Sequence, residues 1–333
     1  MKAWRVQRPG SIDGEPLKMV EEPPPRPGIG EILLAVDACA VCRTDLHVVE
    51  GDLPVHLPHV VPGHEIVGTV VGIGPETKTN HRVGDVVGAA WLRNTCGVCA
   101  QCLSGRENLC LASLYTGWDR DGGFAEFAVV PADYVLELPR GYSAIELAPL
   151  LCAGIIGYRA LACAGVPSGG RLGLYGFGAS AHIVAQLAVL DGARVHVKTR
   201  GSAAQELARS LGAVSAQGAF DAPPEKLDSA IVFAPVGTLV PTALEALDSG
   251  GTAVLAGIYM SDIPILDYQL HLFHEKKLRS VESYTRADAR AFLARCDQDR
   301  IHLETTTYDF DGLPAALRDL RHGRFAGAAV ISM

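Results

Sequence analysis

Two patterns of hydrophobic positions divide the chain. Over roughly the first 150 residues, short apolar or β-branched runs are each bounded by Gly, Pro or Asp, as strands and turns are. These runs are "EILLAVDACAVC", "EIVGTVVGIG", "VGDVVGAAW" and "GGFAEFAVVPADYVLELP". From about residue 153 the periodicity changes to alternating strand and helix signals. "GGRLGLYGFGASAHIVAQLAVLDGARVHVKTR" passes from an apolar run through a Gly-rich turn into a helix-length Ala/Leu/Val segment and back to an apolar run, and "GSAAQELARSLGA" predicts the next helix. "DSAIVFAP" and "GGTAVLAGI" predict further strands, with "TLVPTALEALDSG" as the helix between them. Such a βαβ series predicts a parallel sheet with right-handed crossovers. The C-terminal stretch "HLETTTYDFDGLPAALRDLRHGRFAGAAVISM" reads as a strand, a helix and a final strand. No internal repeat or low-complexity tract interrupts this order, and "EEPPPRPG" is a short stiff turn rather than a linker.

Composition narrows the class. With 333 residues, 48% of them hydrophobic, and 36 glycines, the chain can bury a sizeable core and is expected to form two domains. No run approaches the roughly 18 consecutive apolar residues of a membrane span. The N-terminal stretch has neither the apolar centre nor the cleavage signal of a secreted chain, so a cytoplasmic location is expected. The net charge is −8 and the 29 basic residues are scattered, which announces no surface for nucleic acid. A small, weakly charged molecule is the expected partner.

The nine cysteines are unevenly placed. "CGVCAQCLSGRENLC" sets Cys96, Cys99, Cys102 and Cys110 at C-x2-C-x2-C-x7-C. Four thiolates close a tetrahedral zinc shell with no open position, so this lobe is expected to be a staple that folds a polar loop. A second constellation could build an open site: "CAVCRTDLH" offers Cys42, Thr44, Asp45 and His47, "VPGHEIVG" offers His64 and Glu65, and "APLLCAG" offers Cys152. Two thiolates and one imidazole form a known set for catalytic zinc, which keeps a fourth position for water or substrate. Thr44 and Asp45 also read as an ordinary helix cap, and His47 as a surface histidine. Cys39, Cys163 and Cys296 read as packing.

In "LGLYGFGASAHIVAQLA", a strand leads into Gly176-x-Gly178-x-x-Ala181 at the head of a helix. That arrangement permits a tight turn, close backbone approach to a pyrophosphate, and anion binding by the helix N-terminus. An acid about 20 residues further on normally takes the adenosine ribose hydroxyls of NAD. Here Thr199 stands in that place, followed by Arg200, which favours NADP; the bland alternative is a polar strand end.

Taken in order, "CRTDLH", "GHE", "GDVVGAAW", the four-cysteine lobe, "LLCAG" and "GFGASA" give the whole chain its resemblance to the zinc-containing alcohol dehydrogenases of the medium-chain dehydrogenase/reductase superfamily. The resemblance implies an α/β protein: a GroES-like, mostly-β catalytic domain and a Rossmann cofactor domain with a doubly wound parallel sheet. The boundaries it suggests are 1–152 for the catalytic domain with a structural zinc lobe at 94–112, 153–288 for the cofactor domain, and 289–333 for a return to the catalytic domain. It implies two Zn²⁺ per chain, a catalytic ion on Cys42, His64 and Cys152 and a structural ion on Cys96, Cys99, Cys102 and Cys110. Thr44 is then similar to the family's hydroxyl relay and His47 to the group that passes the proton to solvent. Asp45 and Glu65 resemble carboxylates that orient ligands, Glu65 also coordinating transiently, and Arg43 resembles a pyrophosphate contact. Leu53, Trp91 and Trp118 fall in stretches that line an apolar substrate pocket.

The implied reaction is reversible hydride transfer between a primary or simple secondary alcohol, with its aldehyde or ketone, and NAD(P), by a homo-oligomer of two or four subunits. One departure is Ala328, which stands where the family often has an Arg after "G-x-x-x-G", leaving Arg324 or Arg43 as substitutes. Cys152 argues against the polyol branch, which has a carboxylate there. The rival readings are a zinc-free quinone or enoyl reductase on the same fold, and a non-catalytic zinc-ribbon protein that binds or senses redox state.

Overall fold

Over the first seven residues of the eleven-residue strand Glu31–Val41, covered and more exposed positions alternate, so Ile32, Leu34 and Val36 point to one face, and its last four residues are all buried. This strand is the spine of a seven-stranded sheet in the computed structural model, which describes residues 1–333. It pairs antiparallel with Glu65–Ile73, Phe127–Pro131 and Ala328–Ser332. The C-terminal strands Thr305–Asp309 and Ala328–Ser332 run parallel to each other, with the helix Leu313–His322 between them, and complete one edge of the sheet. The core under this sheet is built from Ile32, Leu34, Ile66, Val70, Phe124 and Ile331, among others.

The second sheet has six parallel strands in the order Ser215–Gln217, Arg194–Lys198, Arg171–Tyr175, Leu227–Val232, Leu247–Leu255, Lys277–Ser280. Its central strands are apolar on both faces, with Leu172, Leu174, Val195, Val197, Ala230 and Ile231 all buried, as helix-covered parallel strands require. The strands that follow Arg171–Tyr175 lie first on one side of it and then on the other. That reversal makes a topological switch point at its carboxyl end, where open α/β sheets bind ligands. The expected strand "GGTAVLAGI" begins earlier than its glycines, at Leu247, directly after the helix Leu239–Ala246.

The chain forms two compact units, Met1–Ile155 together with Ser283–Met333, and Ile156–Glu282. The divisions suggested after 152 and 288 therefore fall after 155 and 282. Gly154 lies so close to the Phe292 ring that a Cβ there would sit 2.4 Å from it, which ties the start of the helix Ala153–Ala164 to the first unit. Tyr284 and Arg286 are held there too: the Leu92 N–H donates to the Tyr284 hydroxyl at 3.0 Å, and the Arg286 N–H to Glu107 at 2.9 Å. No single helix is long and apolar enough to cross a membrane.

Candidate active site

Cys42 ends the spine strand and starts the helix Arg43–Glu50 as its N-cap. Asp45 closes the capping box, one carboxylate oxygen accepting from the Cys42 N–H at 2.9 Å. Its other oxygen accepts from the Gly63 N–H at 3.0 Å and from His64 Nδ1 at 2.8 Å. One buried carboxylate thus starts a helix and orients a histidine. Gly63 has φ +97°, and a Cβ there would meet the Phe124 backbone nitrogen at 2.8 Å, so only glycine delivers His64 in this pose.

His64 Nε2 is buried with no hydrogen-bond partner. Around it gather Cys42, Glu65 and Cys152, all four ligand atoms lying within 4.8 Å of one another. The two sulfurs are 3.9 Å apart. A tetrahedral ion with Zn–S bonds of about 2.3 Å spans about 3.8 Å between sulfurs, so the pair fits one ion.

The electrostatics point the same way. The hydrogen bond from Cys152 holds the Cys42 thiol well below its usual range, and that bond, with burial, pushes Cys152 well above it. Burial and the neighbouring Cys42 also push the Glu65 carboxyl well up. Burial opposes a charge on His64, but Asp45 and Cys42 outweigh it and raise the ring's affinity for a proton. The pocket holds more buried acids than can ionise together, and a divalent cation removes that conflict.

Thr44 is buried, its hydroxyl 3.8 Å from the Cys42 sulfur. His47, at the surface in the bland reading, is 9% exposed, and its Nδ1 donates to Asp52 at 2.7 Å. Trp91 packs edge-on against His64, with ring centroids 5.1 Å apart, and stacks on Tyr115 at 4.8 Å and Trp118 at 5.8 Å. Leu53 and Trp118 also line a cavity of about 110 Å³.

In the lobe, the sulfurs of Cys96, Cys99, Cys102 and Cys110 lie within 4.8 Å of one another. The short helix Ala100–Leu103 buries none of its residues, and Val98, Leu103 and Leu111 are exposed, so the lobe has little core of its own. The N–H groups of Val98 and Cys99 draw the Cys96 thiol down to about 6, while desolvation lifts Cys102 to about 11.

At the other sheet, Gly176 has φ +92°, and a Cβ there would touch the Ala234 backbone nitrogen at 2.9 Å. Gly178 caps the helix Ala179–Leu190 with open space where its side chain would be, and Ala181 is fully buried against the sheet. Thr199 follows the strand Arg194–Lys198, its N–H bonded to the Gln217 carbonyl, and Arg200 beside it is exposed. Ala328 is buried within its strand.

Residues 28–140 match the family described as "Alcohol dehydrogenase GroES-like domain". Over 335 aligned residues, covering 99% of this chain and 97% of the relative, the chain is 58% identical to the "Probable alcohol dehydrogenase AdhA" of Mycobacterium tuberculosis. The chain belongs to the zinc-type alcohol dehydrogenases of the medium-chain dehydrogenase/reductase superfamily. Among solved members of this fold, it resembles the CAD from Helicobacter pylori complexed with NADP(H), at TM-score 0.90 and 25% identity over 100% of this chain and 97% of that one. It likewise resembles a cobalt- and zinc-bound thermostable alcohol dehydrogenase from Pyrobaculum aerophilum, at TM-score 0.89 and 27% identity over 100% and 99%.

As an alcohol dehydrogenase, the protein brings Cys42, Asp45, His64, Glu65, Cys152 and Trp91 into one cluster, with Thr44 against Cys42. Arg43 is exposed at the helix start. Several residues escaped the sequence reading. Asp52 on His47 was foreshadowed only by the Gly-Asp after a histidine-bearing helix. Lys198 is buried beside Thr199, its ammonium donating to the Gln217 side chain, and burial lowers its pKa. Tyr115, His56 and Asp119 surround Trp118, and only the aromatic "YTGW" hinted at them.

Proposed function

We propose that this alcohol dehydrogenase is zinc-dependent, binds two zinc ions per chain, and uses NADP in preference to NAD to interconvert primary or simple secondary alcohols with aldehydes or ketones. The observation that carries the reading is the buried Cys42–His64–Cys152 set with its unpartnered His64 Nε2. Those three residues would hold the catalytic ion, and Cys96, Cys99, Cys102 and Cys110 the structural one. Bound there, zinc supplies Lewis acidity that makes an alcohol hydroxyl easier to deprotonate.

The remaining roles belong to the chain itself. The Thr44 hydroxyl would relay the alcohol's proton, giving up its own as it accepts, and His47, steadied by Asp52, would pass a proton on to solvent. Asp45 keeps His64 Nδ1 protonated, so that Nε2 offers its lone pair. Glu65, a carboxyl favoured in its neutral form by burial, stands ready beside the ligands. Leu53, Trp91 and Trp118 would shield the reacting carbon from water.

Gly176, Gly178 and Ala181 would bring the backbone and helix N-terminus to a pyrophosphate. Thr199 and Arg200 would receive the 2′-phosphate of NADP: Thr199 introduces no carboxylate, and Arg200 is an exposed cation. A homo-oligomer is supported by the large apolar side chains left exposed in one stretch of the chain, Ile258, Tyr259, Ile265, Tyr268 and Phe273. The ligand set weighs against a zinc-free reductase.

The test combines elemental analysis with kcat/KM for a panel of alcohols and aldehydes with each cofactor, on wild type and His64→Ala. Two zincs per chain, preference for NADP, and a variant that binds cofactor but keeps less than about a tenth of kcat are expected. A wild type preferring NAD by more than about tenfold would refute the Thr199–Arg200 reading alone. An active His64→Ala enzyme would refute the metal assignment.

A further inference from the structure

The segment Leu53–His59, rich in proline and without regular structure, is fastened to the loop around Trp118 at three points. The Trp118 indole N–H donates to the Pro54 carbonyl at 2.8 Å. The His56 ring lies flat on Trp118, centroids 3.9 Å apart and planes 15° from parallel. His56 Nδ1 donates to Asp119 Oδ1 at 2.8 Å. Asp119 is itself fixed, its second oxygen accepting from the Tyr115 N–H at 2.8 Å.

The segment itself lines the cavity of about 110 Å³, whose walls are mostly apolar and include Val48, Leu53, Leu57 and Val60. The segment therefore borders free volume, so its position depends on how it is pinned rather than on close packing. Trp118, the residue it is pinned to, stacks on Trp91, which packs on His64. His56 thus connects to the reaction centre only through the aromatic wall.

We propose that His56 and Asp119 form a specificity-determining latch: they hold the Leu53–Leu57 wall against Trp118 and so set how long or broad an apolar alcohol the enzyme accepts. Both are positioning residues, since neither touches the cluster at His64. The inference rests on the reading of Leu53, Trp91 and Trp118 as the substrate pocket.

The test uses the full-length enzyme and a series of straight-chain and aromatic primary alcohols. An aromatic stacking contact of ordinary strength corresponds to about a three- to tenfold change. His56→Ala is therefore expected to change the ratio of kcat/KM between short and bulky alcohols by about that factor, through KM, with kcat for the smallest alcohol, cofactor affinity and zinc content unchanged. His56→Phe keeps the ring and should restore most of the discrimination, whereas His56→Asn keeps only a hydrogen bond to Asp119 and should not. Leu53→Ala serves as the control for the pocket itself. If Leu53→Ala alters the substrate profile and His56→Ala does not, the latch is wrong; if neither alters it, the pocket reading fails and the latch with it. An equal fall in kcat for every alcohol would also overturn the latch, since it signals general damage rather than a moved wall.

Discussion

At the scale of single residues, Asp45 carries two tasks with one charge. Three donors converge on it: the Cys42 N–H, the Gly63 N–H and His64 Nδ1. An amide in its place has one oxygen to accept with, and its NH2 group faces a donor. Asp45→Asn is accordingly expected to weaken zinc binding at the open site by about 10- to 100-fold, the usual range for losing a group that orients a metal-bound histidine. Competition with a chromogenic chelator measures this, provided the lobe's ion is counted separately. Unchanged affinity would mean that the carboxylate only caps the helix. Helix cap and partner of His64 are alternatives in the sequence; in the structure one carboxylate makes both contacts, one oxygen accepting from the Cys42 N–H and the other from His64 Nδ1.

Among the elements, the four-cysteine lobe buries little apolar surface: Cys110 is covered, while Val98, Leu103 and Leu111 lie exposed. Its short helix hides no side chain, so the conformational entropy of ordering the loop has to be offset by something other than a core. Cys99→Ser is expected to remove one zinc per chain and lower Tm, while His64 and its neighbours remain in place. Calorimetry with elemental analysis reads both quantities, and a variant with unchanged Tm would show that the lobe is not a staple. The spine strand and the Gly-rich strand-turn-helix behave differently. Their apolar patterns predict them, and packing against the two sheets sustains them.

For the whole molecule, one pH dependence of stability is expected to run through His196. It is fully buried in the parallel sheet, bonded to Ser215 at 2.9 Å and to Glu225 at 3.1 Å, with Arg194 and Lys198 nearby. Burial lowers its pKa, which Glu225 only partly opposes. The folded state therefore keeps the ring neutral where the unfolded chain, near 6.5, would protonate it. Between those two values the unfolded state binds more protons, so this contribution to stability is complete above about pH 6.5 and is lost as pH falls towards the folded pKa. Comparing Tm of wild type and His196→Gln from pH 8 to 6 isolates it, since other titrating groups are common to both proteins. The wild type should lose more Tm than the variant over that interval; parallel slopes would rule out His196 as the source.

What the sequence determined by itself was chemistry written over short distances. The C-x2-C spacings, "CRTDLH", "GHE" and Gly176-x-Gly178-x-x-Ala181 each span a few residues, whose relative geometry a turn or helix start nearly dictates. The alternation of apolar positions likewise announced a mostly-β part followed by a βαβ part, because the periods of strand and helix follow from backbone geometry alone. The tertiary structure decided what depends on the path of the chain. It brought Cys152 to Cys42 across 110 residues, Asp119 to His56 across 63, and the strand Ala328–Ser332 onto the edge of the spine strand. No local pattern encodes such meetings, because each is fixed by the packing of whole sheets, and a side chain such as His56 carries no mark of its partner until that packing is complete.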